Sequence, residues 1–380
     1  MALALAAAQV DAAGAQAAGA RLGLVYFSDH YAPHAPALLA ELRERWPQAA
    51  WVGCPAVGVA ATGVEYFDEP ALALMLCDLP AGSFEVFSGA QPLVGKSGQS
   101  GQGGQLGQRA HTALVHADPA TPDLAGLVAE LSQRVGTGYL FGGAVSARTG
   151  GAQVAQGWWQ GGLSGVAFGP QVRLISRVTQ GCQPVGPERV ITGAQGPLVT
   201  ELDGLPALTC LLLDLSIDLQ EPRKALPVLR ATMVGLTDAD GALLGRGGQF
   251  GPDVRVRHLV GLDPGRHAVA VAEQVEPGMR LAFCQRHTEA ARRDLVRICS
   301  EIRDEVEGDG SDDMTGRGLR GAVYISCNGR GGPHFGAPSA ELKIVQRALG
   351  EVPLVGFFAA GEIARRHLYG YTGVLTVFAG

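Results

Sequence analysis

The residue types best suited to chemistry lie near the end of the chain, where apolar segments give way to polar residues. Cys327 ends one such segment and is followed by Asn328-Gly329-Arg330-Gly331. Successive backbone N–H groups and a guanidinium in a loop of this kind can bind a carboxylate or a phosphate. The sequence therefore predicts a ligand-binding loop. The alternative is a tight structural turn in which Arg330 pairs with a carboxylate such as Glu362.

Glu362 is the second polar group of interest. It follows Gly361 at the end of another apolar segment, and a carboxylate buried there needs a partner. That partner is either Arg330 or the ammonium group of a ligand. An amino-acid ligand requires both signs of charge in one pocket, and Arg330 with Glu362 would supply them. We therefore expect non-catalytic binding of a small ligand, possibly an amino acid.

Catalysis is the alternative use of these residues. Cys327, His334 and Glu362 have the right types for a nucleophile, a base and an orienting group. The sequence contains no nucleophile signature of a known family, however, and neighbouring positions in sequence say nothing about geometry. A structural or binding role is therefore favoured, with a Cys-dependent enzyme left as an alternative.

A cofactor is suggested by one short pattern only. Cys54-Pro55 resembles a haem-regulatory pair, and His30, His34 or His116 could offer an axial nitrogen. Two-residue patterns recur by chance, and a proline after a cysteine is also a common turn device. We therefore predict no cofactor, with a haem-based sensor as the alternative.

Two glycine-rich segments resemble known ion or phosphate sites without matching them. Residues 95–104 are rich in Gly, Gln and Ser but lack the spacing of a phosphate-binding loop, so they predict a flexible loop. Residues 307–318 are acidic, but their carboxylates miss the calcium-loop spacing. No metal site is predicted.

Composition limits the class of partner. The chain has 380 residues, of which 47% are hydrophobic and 17% charged, with a net charge of −6. Such a chain forms globular cores, and its weakly acidic balance argues against nucleic acid or an anionic membrane surface as a partner. Seven cysteines without a Cys-x-x-Cys pair favour reduced thiols in a cytoplasmic protein. The Ala-rich start predicts a helix rather than a signal peptide, and no segment is apolar for long enough to span a membrane.

An internal repeat positions the polar residues. An apolar strand, a helix and a second strand that breaks at a Gly/Ala turn recur three times, and the turns carry small residues five positions apart. These pairs are Gly53 with Gly58, Gly142 with Ala147, and Gly356 with Gly361. Such residues allow a close approach of backbone or ligand, so Gly142 and Gly143 join the candidate ligand-binding residues.

The repeat predicts an α/β (α+β) fold. We expect two related halves built from βαββ units, in which mixed sheets pack between outer helix layers. The punctuated segment 180–187 is typical of a crossing between domains, and it places a boundary near residue 198. The predicted halves are therefore residues 1–198 and 199–380.

Four segments together resemble the motifs of FIST-domain proteins. They are Thr179-Gln180-Gly181-Cys182-Gln183-Pro184-Val185-Gly186-Pro187, Glu201-Leu202-Asp203-Gly204-Leu205-Pro206-Ala207-Leu208, Cys327-Asn328-Gly329-Arg330-Gly331 and Val355-Gly356-Phe357-Phe358-Ala359-Ala360-Gly361-Glu362-Ile363. The resemblance covers nearly the whole chain, with an N-terminal FIST half followed by a C-terminal one. Pro55 departs from the family pattern, which commonly has a small hydroxyl residue there.

The resemblance implies an intracellular sensory module of signal transduction that binds a small ligand, with haem in some bacterial members. In eukaryotes the same halves follow an F-box and recruit proteins for ubiquitination. Here no room for an F-box precedes residue 21 and no output segment follows residue 380. The resemblance therefore implies a stand-alone bacterial sensor that acts through a separate signalling protein such as a histidine kinase, with a protein-recruitment scaffold as the alternative.

Overall fold

The computed structural model describes residues 2–12, 19–93, 110–244, 249–251, 253–308 and 318–380. The predicted flexible loop over 95–104 and most of the acidic segment 307–318 lie outside these ranges. The described residues form two compact units, one from Met1–Thr179 with Leu295–Gly380 and the other from Gln180–Asp294. The predicted boundary near residue 198 separates two halves of the sequence, whereas these compact units are divided at residues 179/180 and 294/295. The boundary between the sequence halves stays a prediction.

Within its described residues, the discontinuous unit has five α-helices and three sheets. Its helices are α1 (Ala2–Ala12), α2 (Ala35–Arg45), α3 (Leu124–Arg134), α6 (Thr288–Gly308, whose first residues belong to the other unit) and α7 (Ala340–Leu349). Its first strands are β1 (Leu22–Ser28), β2 (Ala50–Ala56), β3 (Gly58–Ala61), β4 (Val64–Phe67), β5 (Leu72–Cys77) and β6 (Phe84–Phe87). The next are β7 (Thr112–Ala117), β8 (Tyr139–Ala144), β9 (Gln153–Ala155), β10 (Trp158–Trp159), β11 (Leu163–Phe168) and β12 (Arg173–Gln180). The last are β21 (Leu319–Cys327), β22 (Leu354–Ala359), β23 (Glu362–Arg365), β24 (His367–Tyr369) and β25 (Thr372–Ala379).

Three of these segments are the predicted repeats. In each, a strand, a crossover helix and a parallel second strand are followed by a short hairpin: β1–α2–β2 with β3–β4, β7–α3–β8 with β9–β10, and β21–α7–β22 with β23–β24. We call them the first, second and third repeats. An antiparallel strand pairs with the opening strand of each repeat, namely β5, β11 and β25.

The hairpins are exchanged in a cycle. The hairpin of the first repeat extends the sheet of the third through β3 and β22, that of the third extends the second through β23 and β8, and that of the second extends the first through β9 and β2. No repeat therefore completes its own sheet. One hydroxyl joins all three, because Ser146 Oγ donates to the Phe358 carbonyl and accepts from Val57 N–H at 3.1 Å.

The glycines that recur in the repeats are required by close strand packing. A Cβ at Gly53, Gly142 or Gly356 would lie 1.7, 1.9 or 1.7 Å from the carbonyl oxygen of the residue opposite it on the parallel strand. Those opposite residues are Val25, Val115 and Tyr324. Only glycine lets the two backbones approach so closely, and this register identifies equivalent positions in the three repeats.

One face of each of the three sheets contributes to a common apolar core. Tyr26, Phe141 and Phe357 are examples from the three sheets, and all three are fully buried. Helices cover the opposite faces: α2 packs on the first sheet through Leu39 and Leu42, and α3 covers the second sheet with its own apolar face. Burial of apolar surface on both sides explains why the strands read as continuous apolar runs.

The contiguous unit is built around a closed antiparallel sheet. Its elements are β13 (Cys182–Pro184), β14 (Arg189–Gln195), β15 (Leu198–Leu202), β16 (Leu205–Pro206), α4 (Ala207–Leu215), α5 (Pro222–Ala231), β17 (Thr232–Thr237), β18 (Arg255–Asp263), β19 (Ala268–Val271) and β20 (Arg280–Arg286). The order β20-β14-β15-β19-β18-β17 closes because β17 also pairs with β20. Leu208 and Leu211 of α4 pack against strand residues such as Phe283 in its core.

The predicted fold class is confirmed: mixed sheets combine with helices in repeated strand–helix–strand units. The sequence indicated the repeats but not the exchange of hairpins among them. Among the described residues, no helix has the length and apolar character needed to cross a membrane.

Candidate functional site

The predicted loop at Cys327 lies at the carboxyl end of β21, in a tight turn. Asn328 N–H donates to the Ala359 carbonyl at 2.8 Å, and Arg330 N–H donates to the Cys327 carbonyl at 2.8 Å. Backbone hydrogen bonds from Gly329 and Tyr371 also reach the Cys327 sulfur. The backbone amides of this loop are therefore used within the protein.

The same device occurs in the other repeats, which identifies it as part of the scaffold. Ser28 and Asp118 occupy the positions equivalent to Cys327. Ser28 Oγ accepts from Ala71 N–H at 2.9 Å, and Asp118 Oδ2 accepts from Gly161 N–H at 3.0 Å. In all three repeats, a side chain at the end of the opening strand holds the turn that leads into the antiparallel strand.

Glu362 has no such counterpart. The equivalent position on the exchanged hairpin holds the apolar Val59 in the first repeat and Gln153, which is buried but neutral, in the second. Glu362 is fully buried on β23, opposite Gly143 of β8. A buried carboxylate at this position is therefore peculiar to the third repeat.

Only one oxygen of Glu362 is used. Oε2 accepts hydrogen bonds from Thr372 N–H at 3.1 Å and Thr372 Oγ1 at 2.6 Å. Oε1 is buried and accepts none from any residue whose position is described. The Cys327 thiol, a weak hydrogen-bond donor, lies close enough to the carboxyl to lower its pKa slightly.

Burial raises the pKa of Glu362 to about 7. The Thr372 hydrogen bonds and, more weakly, the charge of Arg330 and the Cys327 thiol oppose this rise. Glu362 therefore changes its protonation near neutral pH. A buried carboxyl with a perturbed pKa and an unused oxygen is the strongest indication of a binding site in this unit.

Arg330 has a different partner from the one proposed from sequence. Its Nε and Nη2 donate to Glu341 Oε1 at 2.9 and 2.7 Å, and both side chains are about 1% exposed. The alternative in which Arg330 pairs with Glu362 is therefore not the arrangement found, because Arg330 pairs with Glu341. The turn after β21 directs the guanidinium toward the N-terminus of α7, where Glu341 lies and where a carboxylate is favoured by the helix dipole.

Further groups form hydrogen bonds or ring contacts with the side chains of this ion pair. Tyr324 OH donates to Glu341 Oε1 at 2.7 Å, Ser326 Oγ lies 3.1 Å from both carboxylate oxygens, and the guanidinium stacks 5.2 Å from the Phe335 ring centre. Of the three guanidinium nitrogens, Nη1 has no hydrogen-bond partner among the described residues. One guanidinium nitrogen is thus left over from an otherwise complete network.

A second carboxylate borders this network. Glu65 of β4 accepts from Glu341 N–H at 3.0 Å and Leu342 N–H at 3.2 Å, so it caps α7. Burial and the nearby charge of Glu341 raise the pKa of Glu65 to about 7, against the opposing effects of these two hydrogen bonds and Lys343. Glu341 thus interacts both with the buried guanidinium of Arg330 and with a carboxyl group from the hairpin of the first repeat.

The remaining predicted site residues divide into two groups. Gly143 and Gly361 lie beside Glu362, because Gly143 is opposite Glu362 on the paired strand and Gly361 precedes it. A Cβ on Gly143 would come within 2.9 Å of Ile325 Cγ2 and 3.1 Å of the Gly361 carbonyl oxygen. Gly331 instead packs under Phe67, whose ring would lie 2.4 Å from an added Cβ. Gly142 faces Val115 in the close strand pair described above. Gly331 and Gly142 are therefore explained by packing.

The proposed nucleophile is held in its protonated form. Burial, followed by the charge of Glu362, raises the pKa of Cys327 to about 12, and its side chain is 7% exposed. A thiol reacts as its thiolate, so this environment disfavours nucleophilic attack. The structure brings Cys327 and Glu362 together, whereas the ring of His334 contacts that of Phe335.

The residues considered for haem lie in different settings. Cys54 and His116 are buried in the common core, where His116 Nε2 lies 3.1 Å from Tyr26 OH and burial lowers the pKa of His116 to about 3. His30 lies 3.7 Å from Asp29, which is also bound by Arg148. No group of three or more His, Cys, Asp or Glu side chains suited to a metal ion occurs in the part of the chain that the structure describes.

Sequence reasoning missed several residues of the site. Glu341 looks like any acidic residue in the first turn of a helix, and Thr372 opens a plain apolar strand. Tyr371 gives no local signal in the sequence either, and only the structure shows that it adopts φ +61°, a conformation unusual for an aromatic residue. The equivalent position in the second repeat holds Gly161, with φ +82°.

Comparison with known proteins agrees with the repeat architecture. The FIST N domain model matches residues 21–205, and the FIST C domain model matches residues 207–365. An uncharacterized protein of Mycobacterium tuberculosis is 32% identical over 370 residues, covering 94% of this chain and 91% of the relative. An uncharacterized protein of Mycobacterium bovis is 30% identical over 338 residues, covering 87% and 83%. The chain therefore belongs to the FIST family and contains its N domain followed by its C domain.

Proposed function

We propose that this protein is a sensor that binds a small ligand without chemical conversion, and that Glu362 is the centre of its binding site. FIST domains are associated with sensory and signal-transduction proteins. The observation that carries the proposal is the unused, buried Oε1 of Glu362, in a position that holds the apolar Val59 and the neutral Gln153 in the other two repeats. An unsatisfied buried acceptor costs free energy that a donor from a ligand would recover.

An amino acid matches the two unsatisfied atoms. Its ammonium group would donate to Glu362 Oε1, and its carboxylate would accept from Arg330 Nη1. Both atoms belong to fully buried side chains of the third repeat, and each side chain affects the pKa of the other. The ligand thus adds to a network that Glu341 and Thr372 already hold in place.

The ligand would reach Glu362 from the side of the Cys327 turn. Asn328 is exposed, and Gly329 and Tyr371 are half-buried. The Tyr371 ring would lie 3.4 Å from a Cβ on Gly329, so the ring packs on the Cys327 turn. Binding therefore parts the Tyr371 ring from the turn, and this movement is the change that a separate cytoplasmic signalling protein, such as a histidine kinase, would detect.

The environment of Cys327 supports binding rather than catalysis. With its thiol protonated, Cys327 contributes shape and a weak donor beside Glu362. A Cys-dependent enzyme would need the thiolate at neutral pH.

Thermal unfolding of the full chain in the presence of each of the twenty amino acids tests the proposal. A ligand that binds the native state raises the unfolding midpoint with increasing concentration, by about 2.7 kcal/mol of stability at 100 times its Kd. We expect at least one amino acid to do so in the wild type and to lose the effect in Glu362→Gln, which keeps an acceptor for Thr372.

Glu69→Gln is the matched control, because it removes the same charge from an exposed position. It should respond to the ligand like the wild type. An unchanged midpoint with all twenty amino acids, or an equal shift in Glu362→Gln, would contradict the proposed site.

A further inference from the structure

The charges around Glu362 do not balance. Arg330 and Glu341 form a complete ion pair, with three donors on Glu341 Oε1 from Arg330 and Tyr324. Glu362 and Glu65 are additional carboxyl groups, and of the two only Glu65 has a lysine, Lys343, among the charges that act on it. When Glu362 is ionised, this interior lacks one positive charge.

An ionised carboxylate in a buried position is costly unless a positive group pairs with it. The guanidinium of Arg330 is already committed, since two of its nitrogens bind Glu341. Its remaining Nη1–H can orient an acceptor but adds no uncompensated charge. The attraction for a ligand is therefore toward a cation, and a ligand carboxylate gains only one hydrogen bond.

The aromatic ring of Tyr371, which precedes Thr372 in the chain, also suits a cation. The half-buried Tyr371 ring lies over Gly329, next to the Cys327 turn and to Thr372, which binds Glu362. The face of an aromatic ring attracts ammonium groups, and this attraction grows when the cation is desolvated. A carboxylate with a free oxygen and an aromatic ring together recognise an organic ammonium group that keeps at least one N–H.

We propose that the ligands of the Glu362 site are primary organic amines as a class, and that a ligand carboxylate is dispensable. The ammonium N–H donates to Glu362 Oε1, its charge completes the ion balance of the third repeat, and the organic chain extends past Tyr371 and Asn328. This inference rests on the proposed function, because it assigns the ligand class of that same site.

Matched sets of compounds distinguish the contribution of the ligand's ammonium group from that of its carboxylate. One set is norvaline, butylamine and pentanoate; the other is phenylalanine, 2-phenylethylamine and 3-phenylpropanoate. In each, the amine lacks the carboxylate and the acid lacks the ammonium group. Methylammonium serves as the smallest probe, and tetramethylammonium as a cation without an N–H. Thermal midpoints are measured for the full-length wild type at constant ionic strength in sodium and in potassium buffers.

We expect the midpoint to rise with the logarithm of amine concentration, at least as much for an amine as for its amino acid. The acids and tetramethylammonium should leave it unchanged. The amine shift should disappear in Glu362→Gln and persist in Glu69→Gln.

The outcomes distinguish the two proposals. If amino acids shift the midpoint but the matched amines and methylammonium do not, the amine class is wrong and the proposed sensor site stands. If no compound shifts it, both are wrong. An equal shift from tetramethylammonium, or from exchanging sodium for potassium, would show a general cation effect and overturn the amine class.

Discussion

Arg330 donates two hydrogen bonds to a single carboxylate oxygen of Glu341, at 2.9 and 2.7 Å, with both side chains buried. This pair connects the turn after β21 to the first turn of α7. Glu341→Gln keeps the size of the side chain but removes the carboxylate to which the guanidinium is hydrogen-bonded. Because an unpaired buried charge is strongly destabilising, we expect a loss of about 3–5 kcal/mol in the free energy of unfolding, measured by chemical denaturation.

An exposed ion pair in the same unit provides the control. Arg134 and Glu130 are four residues apart on α3 and are 35% and 56% exposed. Glu130→Gln should cost at most about 0.5 kcal/mol. Equal losses in the two variants would mean that the Arg330 pair contributes no more than a surface contact.

The close-packed glycines lead to a second prediction. Gly356→Ala would place a methyl group 1.7 Å from the Tyr324 carbonyl oxygen, in a backbone contact that cannot move aside. We expect destabilisation of more than about 3 kcal/mol, at the upper end of the costs of overpacking. Gly89→Ala, where a Cβ would meet nothing within 4 Å, should unfold like the wild type in the same denaturation experiment. A mild effect at Gly356 would contradict the register of β21 and β22.

The raised pKa values of Glu362 and Glu65, both about 7, predict the direction of a pH effect. The ordinary value of 4.5 applies in the unfolded chain, so the folded state holds more protons between pH 4.5 and 7. These two groups therefore contribute stability that is fully present below pH 4.5 and is lost as the pH rises through about 7. Thermal midpoints should accordingly fall between pH 5.5 and 8.

Glu362→Gln tests the assignment of this pH effect. Gln does not titrate, so the variant should show a flatter dependence over the same range, and its midpoint should exceed that of the wild type most clearly at pH 8. The same slope in both proteins would assign the pH dependence to other groups.

The reactivity of Cys327 gives a fourth prediction. Its raised pKa of about 12 and 7% exposure should make it label with iodoacetamide no faster than buried Cys54 in the native protein. Mass spectrometry of peptides after a time course measures both rates, and unfolded protein provides the common upper limit. Rapid labelling of Cys327 alone would indicate an activated thiol and revive the hypothesis of a Cys-dependent enzyme.

The strands and the three repeats could be predicted because their signals are local. An apolar run such as Leu22–Ser28 identifies a buried strand wherever it lies in the chain, and a glycine such as Gly356 indicates a close backbone approach. The partner of each hairpin could not be predicted. Val59 of β3 pairs with Phe357 of β22, and nothing in the alternation of either segment specifies the other.

The candidate site was predicted in part for the same reason. Glu362 stands out as a carboxylate in an apolar segment, so its burial could be expected. The partner of Arg330 depends on the direction of α7 and on which side of that helix faces β21, and these are tertiary properties. A sequence reader sees Glu341 as one of several helical acids, although it is fully buried.

The exchange of hairpins has a consequence for synthesis on the ribosome. The β3–β4 hairpin emerges early, yet its partner β22 is among the last strands to be made. The residues of Gln180–Asp294 are contiguous and can fold as they emerge, whereas the discontinuous unit needs the end of the chain. The proposed amine site includes Glu362 and Thr372, so a nascent chain that lacks these residues cannot form it. Such long-range pairing also predicts slow folding of that unit after release.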